Sequence, residues 1–104
     1  MAAAFLVQKG YKIRARNYRY KRSEIDLIVE KDGWLIFVEV KTRSSVAFGY
    51  PEEFVDEKKA EKIMEGADHY LIEVDWNSNV RYDIISITLK NGTHEIVHLE
   101  DAIH

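Results

Sequence analysis

The sequence predicts an α+β domain with a mixed central sheet, in which a helix, three strands, a second helix and two strands follow one another. Two turn signals, Asp32-Gly33 and Asn91-Gly92, each separate runs of alternating apolar and polar residues, as in a β-hairpin. Between them, apolar residues recur every three or four positions, as in an amphipathic helix. At 104 residues, the chain has the length of one domain, which we expect to span 1–104.

The first half of the chain predicts a helix and three strands. Residues 2–9 form the helix, with Gly10 where a left-handed C-terminal cap belongs. Because a helix that starts at residue 1 is short and uncapped, we expect its true start to precede Met1. Alternation predicts a strand over 11–17, a polar connection over 17–23, and strands over 24–31 and 34–42.

The second half predicts a long helix and a closing hairpin. Small and polar residues at 44–45 and 49–51 indicate a loop. The helical pattern begins at Pro51 or Asp56 and ends at Val74. A turn over 75–79 precedes strands over 81–89 and 93–99.

Composition excludes several classes of protein. The chain has no cysteine, which excludes disulfides and thiolate metal sites and suits a reducing cytoplasm, where we expect the protein to act. No apolar run reaches membrane-spanning length, so we expect no membrane partner. The net charge is −3, yet residues 1–43 carry ten Lys and Arg against five acids, a balance of +5 that would suit a phosphate-bearing partner.

The Asp32-Gly33 turn predicts a pairing register that gathers charged residues. A two-residue loop pairs Lys31 with Trp34, so facing residues have numbers that sum to 65. Asp26 then faces Glu39, and Glu24 faces Lys41. We expect these four side chains on one face of the hairpin, and Ile25, Leu27, Val38 and Val40 on an opposite, core face.

Two facing carboxylates repel each other unless a cation lies between them. Carboxylate oxygens and a backbone carbonyl suit Mg²⁺ or Mn²⁺, and a nearby lysine can position an attacking water and offset phosphate charge. A surface ion-pair cluster is the alternative. Because Leu35 and Phe37 share the face of Glu39, that face is at least partly covered, which favours the metal site.

These motifs resemble a known superfamily. Asp26, Glu39 and Lys41, in the order Asp, Glu-Xaa-Lys, are similar to the signature of the PD-(D/E)XK, or restriction-endonuclease-like, nucleases. More closely, several segments resemble the YraN family of bacterial proteins, which is similar to archaeal Holliday-junction resolvases. The matching segments are residues 10–11, 16–19, 24–28, 37–43, 49–51 and 81–83.

The resemblance implies a restriction-endonuclease-like core and a Mg²⁺-dependent DNA endonuclease, with branched DNA as one substrate and a homodimer as one assembly. It implies that Asp26, Glu39 and the carbonyl of Val40 hold the metal and that Lys41 assists the attack of water. With Glu24 nearby, we predict Asp26, Glu39, Lys41 and Glu24 as the catalytic residues. A glutamate usual in the family's first helix would fall at or before Met1. The alternative is therefore a weak or inert nucleic-acid-binding module with the same fold.

Basic residues supply candidate DNA contacts, interleaved with Tyr18 and Tyr20, which could stack on bases. The alternative is that these basic residues lie on a solvated strand edge without a functional role. Lys58 and Lys62 fit a solvated helix face. The histidines lack zinc spacing, and we expect them at the surface or on a strand edge. The predicted nucleic-acid-binding residues are Arg14, Arg16, Arg19, Arg22, Arg43 and Lys59.

Overall fold

The computed structural model describes residues 1–44 and 55–104. The predicted order of elements is confirmed, whereas the predicted loop over 49–51 and a helix start at Pro51 lie outside the described residues. The elements are α1 (Ala2–Gln8), β1 (Lys12–Tyr20), β2 (Ser23–Lys31), β3 (Trp34–Arg43), α2 (Glu57–Glu73), β4 (Asn79–Lys90) and β5 (Thr93–Leu99).

The five strands form one sheet in the order β1-β2-β3-β4-β5. Strands β3 and β4 are parallel, and the other neighbouring pairs are antiparallel, so the sheet is mixed as predicted. The connection between the parallel strands contains α2, as a crossover requires. None of the helices in the described part of the chain is long and apolar enough to cross a membrane.

Both predicted hairpin turns are confirmed. Asp32 and Gly33 have φ values of 51° and 83°, and Asn91 and Gly92 have 48° and 77°. Positive φ at both central residues is the type I′ geometry that matches strand twist. The first turn sets the predicted register, which runs from Lys31 opposite Trp34 to Leu27 opposite Val38.

Hydrophobic side chains cover both faces of the sheet, so the expected division into a charged face and a core face is wrong. On one face, Phe37 and Ile84 pack against α2. On the other, Val38 and Ile85 pack against α1. A central strand of a sheet that is covered on both faces is buried on both sides, so its apolar residues do not alternate with polar ones.

Ile25 lies on the face opposite to the one we expected. It packs in the α2 cluster, whereas Leu27 packs in the α1 cluster, so alternation is interrupted between them. Across the ladder, Ile25 pairs with Tyr18 and Leu27 with Arg16. Asn17 lies between those two partners and has a φ of 49°. This backbone irregularity changes the sheet face to which the flanking side chains point.

The predicted connection over 17–23 is wrong, because β1 continues to Tyr20 and turns through residues 21–22 only. Tyr18 donates or accepts a 2.8 Å hydrogen bond with His69 of α2, and Tyr20 stacks on the same ring at a centroid distance of 3.8 Å. The tertiary contact with α2 extends the strand beyond what local polarity indicates. Both tyrosine rings are therefore occupied within the fold.

Each helix ends in a six-residue hydrogen-bonded cap. After α1, Tyr11 N–H donates to the Leu6 carbonyl at 3.0 Å, and Gly10 has φ of 94°, as predicted for a left-handed cap. After α2, Trp76 N–H donates to the Leu71 carbonyl at 2.9 Å. The α1 cap brings Tyr11 onto the core beside Leu6.

A buried ionic cluster joins β4, β5 and the C-terminal residues. Asp83 is fully buried, and its carboxylate accepts hydrogen bonds from Arg81 at 2.8 and 2.9 Å and from the Asp101 N–H at 3.0 Å. His98 Nε2 lies 2.7 Å from the same carboxylate. His98 lies on the edge strand β5, as expected of a surface or edge histidine, but its side chain is only 4% exposed because it packs into this cluster.

Candidate functional site

The site begins where the ladder between β2 and β3 stops. The last paired residues are Leu27 and Val38, and beyond them the Val40 N–H donates a 2.7 Å hydrogen bond to Oδ2 of Asp26. The Asp26 side chain thus takes the place of a backbone acceptor. This contact fixes the carboxylate beside the end of β3, close to where the register predicted it.

Glu39 is the buried acid of the site, with 7% of its surface exposed. Its Oε1 atom lies 3.6 Å from Lys41 Nζ and 3.0 Å from Lys59 Nζ. Burial raises the pKa of Glu39, and the neighbouring Asp26 carboxylate raises it further, against the two lysines that lower it. Asp26 and Glu39 line the same cavity.

Lys59 reaches Glu39 because α2 begins beside the end of β3. Asp56 caps the helix, and its side chain accepts a 2.8 Å hydrogen bond from the Lys59 N–H. Burial acts to lower the Lys59 pKa, but the neighbouring carboxylates of Glu39 and Asp26 outweigh burial and raise it. Burial lowers the pKa of Lys41, and Lys59 lowers it further.

A cavity of about 290 Å³ opens over the two acids, between the turn that precedes β2 and the first turns of α2. Its lining combines cationic and anionic side chains with one apolar side chain. The lining residues are Arg22, Glu24, Asp26, Glu39, Lys59, Lys62 and Ile63.

Five of the predicted site residues therefore line one cavity, and Lys41 contacts it through Glu39. The five are Arg22, Glu24, Asp26, Glu39 and Lys59. The predicted pairing of Glu24 with Lys41 does not form. Glu24 pairs instead with Arg19 of β1, and their side chains are 3.6 Å apart. The register rule fails there because β2 leaves β3 at Asp26 and continues on β1.

The predicted arginines do not form one surface. Arg14 is held within the fold by hydrogen bonds to Glu30 at 2.8 Å and Tyr70 at 3.1 Å. Arg16 pairs with Leu27, whose side chain belongs to the α1 cluster, so Arg16 lies on the face away from α2. Arg43 ends β3 opposite Thr88, on the strand face that alternation assigns to Lys41.

The donor atoms fit a hard divalent cation in type, because both acids supply oxygen. Asp26 uses Oδ2 for Val40, and Glu39 uses Oε1 for the lysines; in residues 1–44 and 55–104 the second oxygen of each acid has no other partner. Within the same residues, no group of three or more His, Cys, Asp or Glu side chains is arranged to hold an ion. A metal here would thus need ligands beyond side-chain carboxylates, such as a carbonyl or water.

Lys62 is exposed, as predicted for a solvated helix face, but it also lines the cavity, which the sequence pattern does not predict. Ser23 connects the start of β2 to Lys62. It is buried, and its hydroxyl donates a hydrogen bond to the Lys62 carbonyl. A signal was present in Gly66, one turn further along the helix: a Cβ atom there would lie 2.9 Å from Ser23 Cβ. A glycine inside an amphipathic helix indicates such a close approach.

Comparison with known proteins agrees with the motifs. The profile of the Uncharacterised protein family UPF0102 matches residues 1–87. A UPF0102 protein of Cytophaga hutchinsonii is 45% identical over 97% of this chain and 87% of its own length. UPF0102 proteins of Flavobacterium psychrophilum and Chlorobium phaeobacteroides are 38% and 41% identical over the whole chain, and 87% and 83% of their lengths are covered. This protein therefore belongs to the UPF0102 family.

Proposed function

We propose that this protein hydrolyses phosphodiester bonds in DNA with Mg²⁺ or Mn²⁺ as cofactor. The observation that carries the proposal is one cavity lined by two acids, Asp26 and Glu39, and by Lys59, where Lys41 also contacts Glu39. Acids alone would repel a phosphate, and lysines alone would only bind it. Together they suit a reaction in which a phosphate must be held and attacked.

Asp26, Glu39 and the carbonyl of Val40 are the proposed metal ligands. A divalent cation bound there would polarise a phosphoryl oxygen and lower the pKa of a bound water. Asp26 is already oriented by the Val40 N–H, so its carboxylate is fixed before a ligand arrives. Preorganised ligands lose little conformational entropy on binding.

The lysines have separate proposed roles. Lys41 shares the strand face of Glu39 and is positioned to hold the attacking water or a phosphate oxygen at the acids. Lys59 comes from α2 and is 38% exposed, so it is the better placed to contact incoming phosphate. Glu24, at the rim, is a proposed further acid of the site.

DNA is the proposed substrate because Arg22 lines the cavity and Arg19 borders it through Glu24. Branched DNA, a homodimer and action in the cytoplasm remain proposals, supported by the resemblance to resolvases and the absence of cysteine.

The deciding experiment is incubation of the protein with linear, flapped and four-way DNA of matched sequence, with Mg²⁺, with Mn²⁺ or with a chelator. We expect metal-dependent cleavage of at least one substrate, reduced to background in Glu39→Gln and Lys41→Ala. Glu30→Gln is the matched control, because Glu30 lies on β2 but pairs with Arg14 outside the cavity. Failure to cleave any of the three DNAs under every metal condition would overturn the enzymatic proposal.

A nucleic-acid-binding module without turnover is the second candidate. It is favoured by the two lysines on one oxygen of Glu39 and by the lack of a third metal-binding side chain within the described residues. This candidate predicts metal-independent DNA binding that Asp26→Asn and Glu39→Gln leave intact. The nuclease proposal predicts that the same variants bind DNA but no longer bind Mn²⁺.

A further inference from the structure

Two cations on the rim of the cavity take no part in the proposed metal site. Arg22 lies in the two-residue turn before β2, and Lys62 lies on α2, one turn after Lys59. Both are exposed, and both line the 290 Å³ cavity over Asp26 and Glu39. They come from elements that are far apart in the sequence, so their meeting is a property of the fold.

The backbone holds these two residues together. Ser23, the residue after Arg22, is buried, and its hydroxyl donates a hydrogen bond to the backbone carbonyl of Lys62. Gly66 permits this approach, because a Cβ atom at that position would lie 2.9 Å from Ser23 Cβ. The turn and the helix are thus fixed against each other at the two residues whose side chains reach the rim.

Arg22 and Lys62 differ in their ion pairing from the other cationic residues near the cavity. Lys59 and Lys41 pair with Glu39, and Arg19 pairs with Glu24. Throughout residues 1–44 and 55–104, Arg22 and Lys62 form no ion pair or side-chain hydrogen bond. Two cations that line the same cavity as two acids suit an anionic group that must lie close to those acids.

We propose that Arg22 and Lys62 together clamp one phosphate of the nucleic-acid strand, the phosphate adjacent to the one placed at Asp26 and Glu39. This inference rests on the proposed function and adds a substrate contact to it. A guanidinium group provides a planar pair of donors, and an ammonium group provides a point charge, so one phosphate can accept from both. The clamp would offset the repulsion between the strand and the two acids.

The test measures binding of a labelled linear DNA duplex as a function of salt for Arg22→Ala, Lys62→Ala and the double variant. Lys58→Ala is the matched control, because Lys58 is an exposed lysine of the same helix that does not line this cavity, although it lines a neighbouring one with Lys59 and Lys62. We expect each single variant to weaken binding several-fold. For the double variant, the slope of log affinity against log salt should fall by about 0.9, the value of one phosphate, rather than by about 1.8.

Thermal unfolding and Mn²⁺ calorimetry on the same variants separate the clamp from the rest of the site. Unchanged unfolding and retained Mn²⁺ binding, with weakened DNA binding, support the clamp. If Lys62→Ala binds DNA like Lys58→Ala, or if the double variant loses a slope of about 1.8, the shared phosphate is excluded. If the parent protein binds Mn²⁺ but not DNA, the proposed function fails together with the clamp.

Discussion

The Val40 N–H donates a 2.7 Å hydrogen bond to Oδ2 of Asp26, at the point where β2 and β3 cease to pair. A side-chain acceptor here replaces the backbone acceptor of a continuing ladder. The two strands can therefore separate without leaving a buried N–H group unsatisfied. The cavity over Asp26 and Glu39 lies where the strands separate. The same hydrogen bond therefore ends the hairpin and orients a carboxylate of the proposed metal site.

Removing either acid should abolish metal binding. Asp26→Asn and Glu39→Gln keep the shape of each side chain but remove its charge, and we expect Mn²⁺ affinity to fall by at least about a hundredfold, since loss of a supporting group alone costs about 10- to 100-fold. Isothermal titration calorimetry checks this against Glu30→Gln. Equal Mn²⁺ binding by all three variants and the parent would exclude the acidic pair as ligands.

Removing Lys59 should increase metal affinity. Its Nζ atom lies 3.0 Å from Oε1 of Glu39 and would compete with a bound cation. For a partly exposed ion pair, we expect Lys59→Ala to tighten Mn²⁺ binding by up to about fivefold, the equivalent of about 1 kcal/mol. Lys58→Ala should leave it unchanged. Weaker Mn²⁺ binding in Lys59→Ala would show that this lysine supports the site instead of competing for it.

The arginines of β1 should separate into structural and DNA-contacting residues. Arg14 is bonded to Glu30 and Tyr70, so Arg14→Ala should lower the free energy of unfolding by about 1–2 kcal/mol. Arg19→Ala should leave stability unchanged but reduce the salt slope of DNA binding by about 0.9, whereas Arg16→Ala, on the face away from α2, should change neither. Chemical unfolding and salt-dependent binding provide the two measurements. A larger loss of slope in Arg14→Ala or Arg16→Ala than in Arg19→Ala would contradict this division.

Asp83 should make stability depend on acidic pH. Burial acts to raise its pKa, but hydrogen bonds from His98, Arg81 and the Asp101 N–H outweigh burial and lower it. The stabilisation is therefore present above the pKa of the unfolded carboxyl, about 3.9, and is lost as pH falls through the lower folded pKa.

We expect Asp83→Asn to lower the free energy of unfolding by about 3–5 kcal/mol near neutral pH, because it removes the fully buried carboxylate that pairs with Arg81 and His98 and leaves Arg81 paired with the exposed carboxylate of Glu100. Urea unfolding at several pH values checks this. The difference in free energy of unfolding between variant and parent should become smaller only at acidic pH. Asp68→Asn, at an exposed position of α2, is the control. A difference that narrows towards neutral pH would contradict the assigned cause.

Gly66 and Ser23 should show coupled effects on stability. A methyl group at Gly66 would meet Ser23 Cβ at 2.9 Å, so Gly66→Ala should destabilise the protein despite the better helix propensity of alanine. In a Ser23→Gly background the obstruction is gone, and Gly66→Ala should stabilise by up to about 1 kcal/mol. Thermal unfolding of the four proteins tests this reversal of sign. The same sign in both backgrounds would show that the contact is not what restricts residue 66.

The sequence by itself determined the features that depend on short stretches of chain. Asp32-Gly33 prescribed a type I′ turn, and with it the register that brings Asp26 near Glu39. The period of α2 and the position of Gly10 after α1 were equally local. Such features follow from backbone sterics and from the spacing of side chains, which a few neighbouring residues fix.

Only the tertiary structure decided which residues join the acids and which are used elsewhere. The placement of α2 across the sheet brings Lys59 and Lys62 to the cavity and occupies Tyr18, Tyr20 and Arg14 in packing. That placement depends on contacts such as Ser23 with Lys62, which join residues 39 positions apart. Local periodicity carries no information on such contacts, because they are set by the complementary shapes of surfaces that meet only after folding.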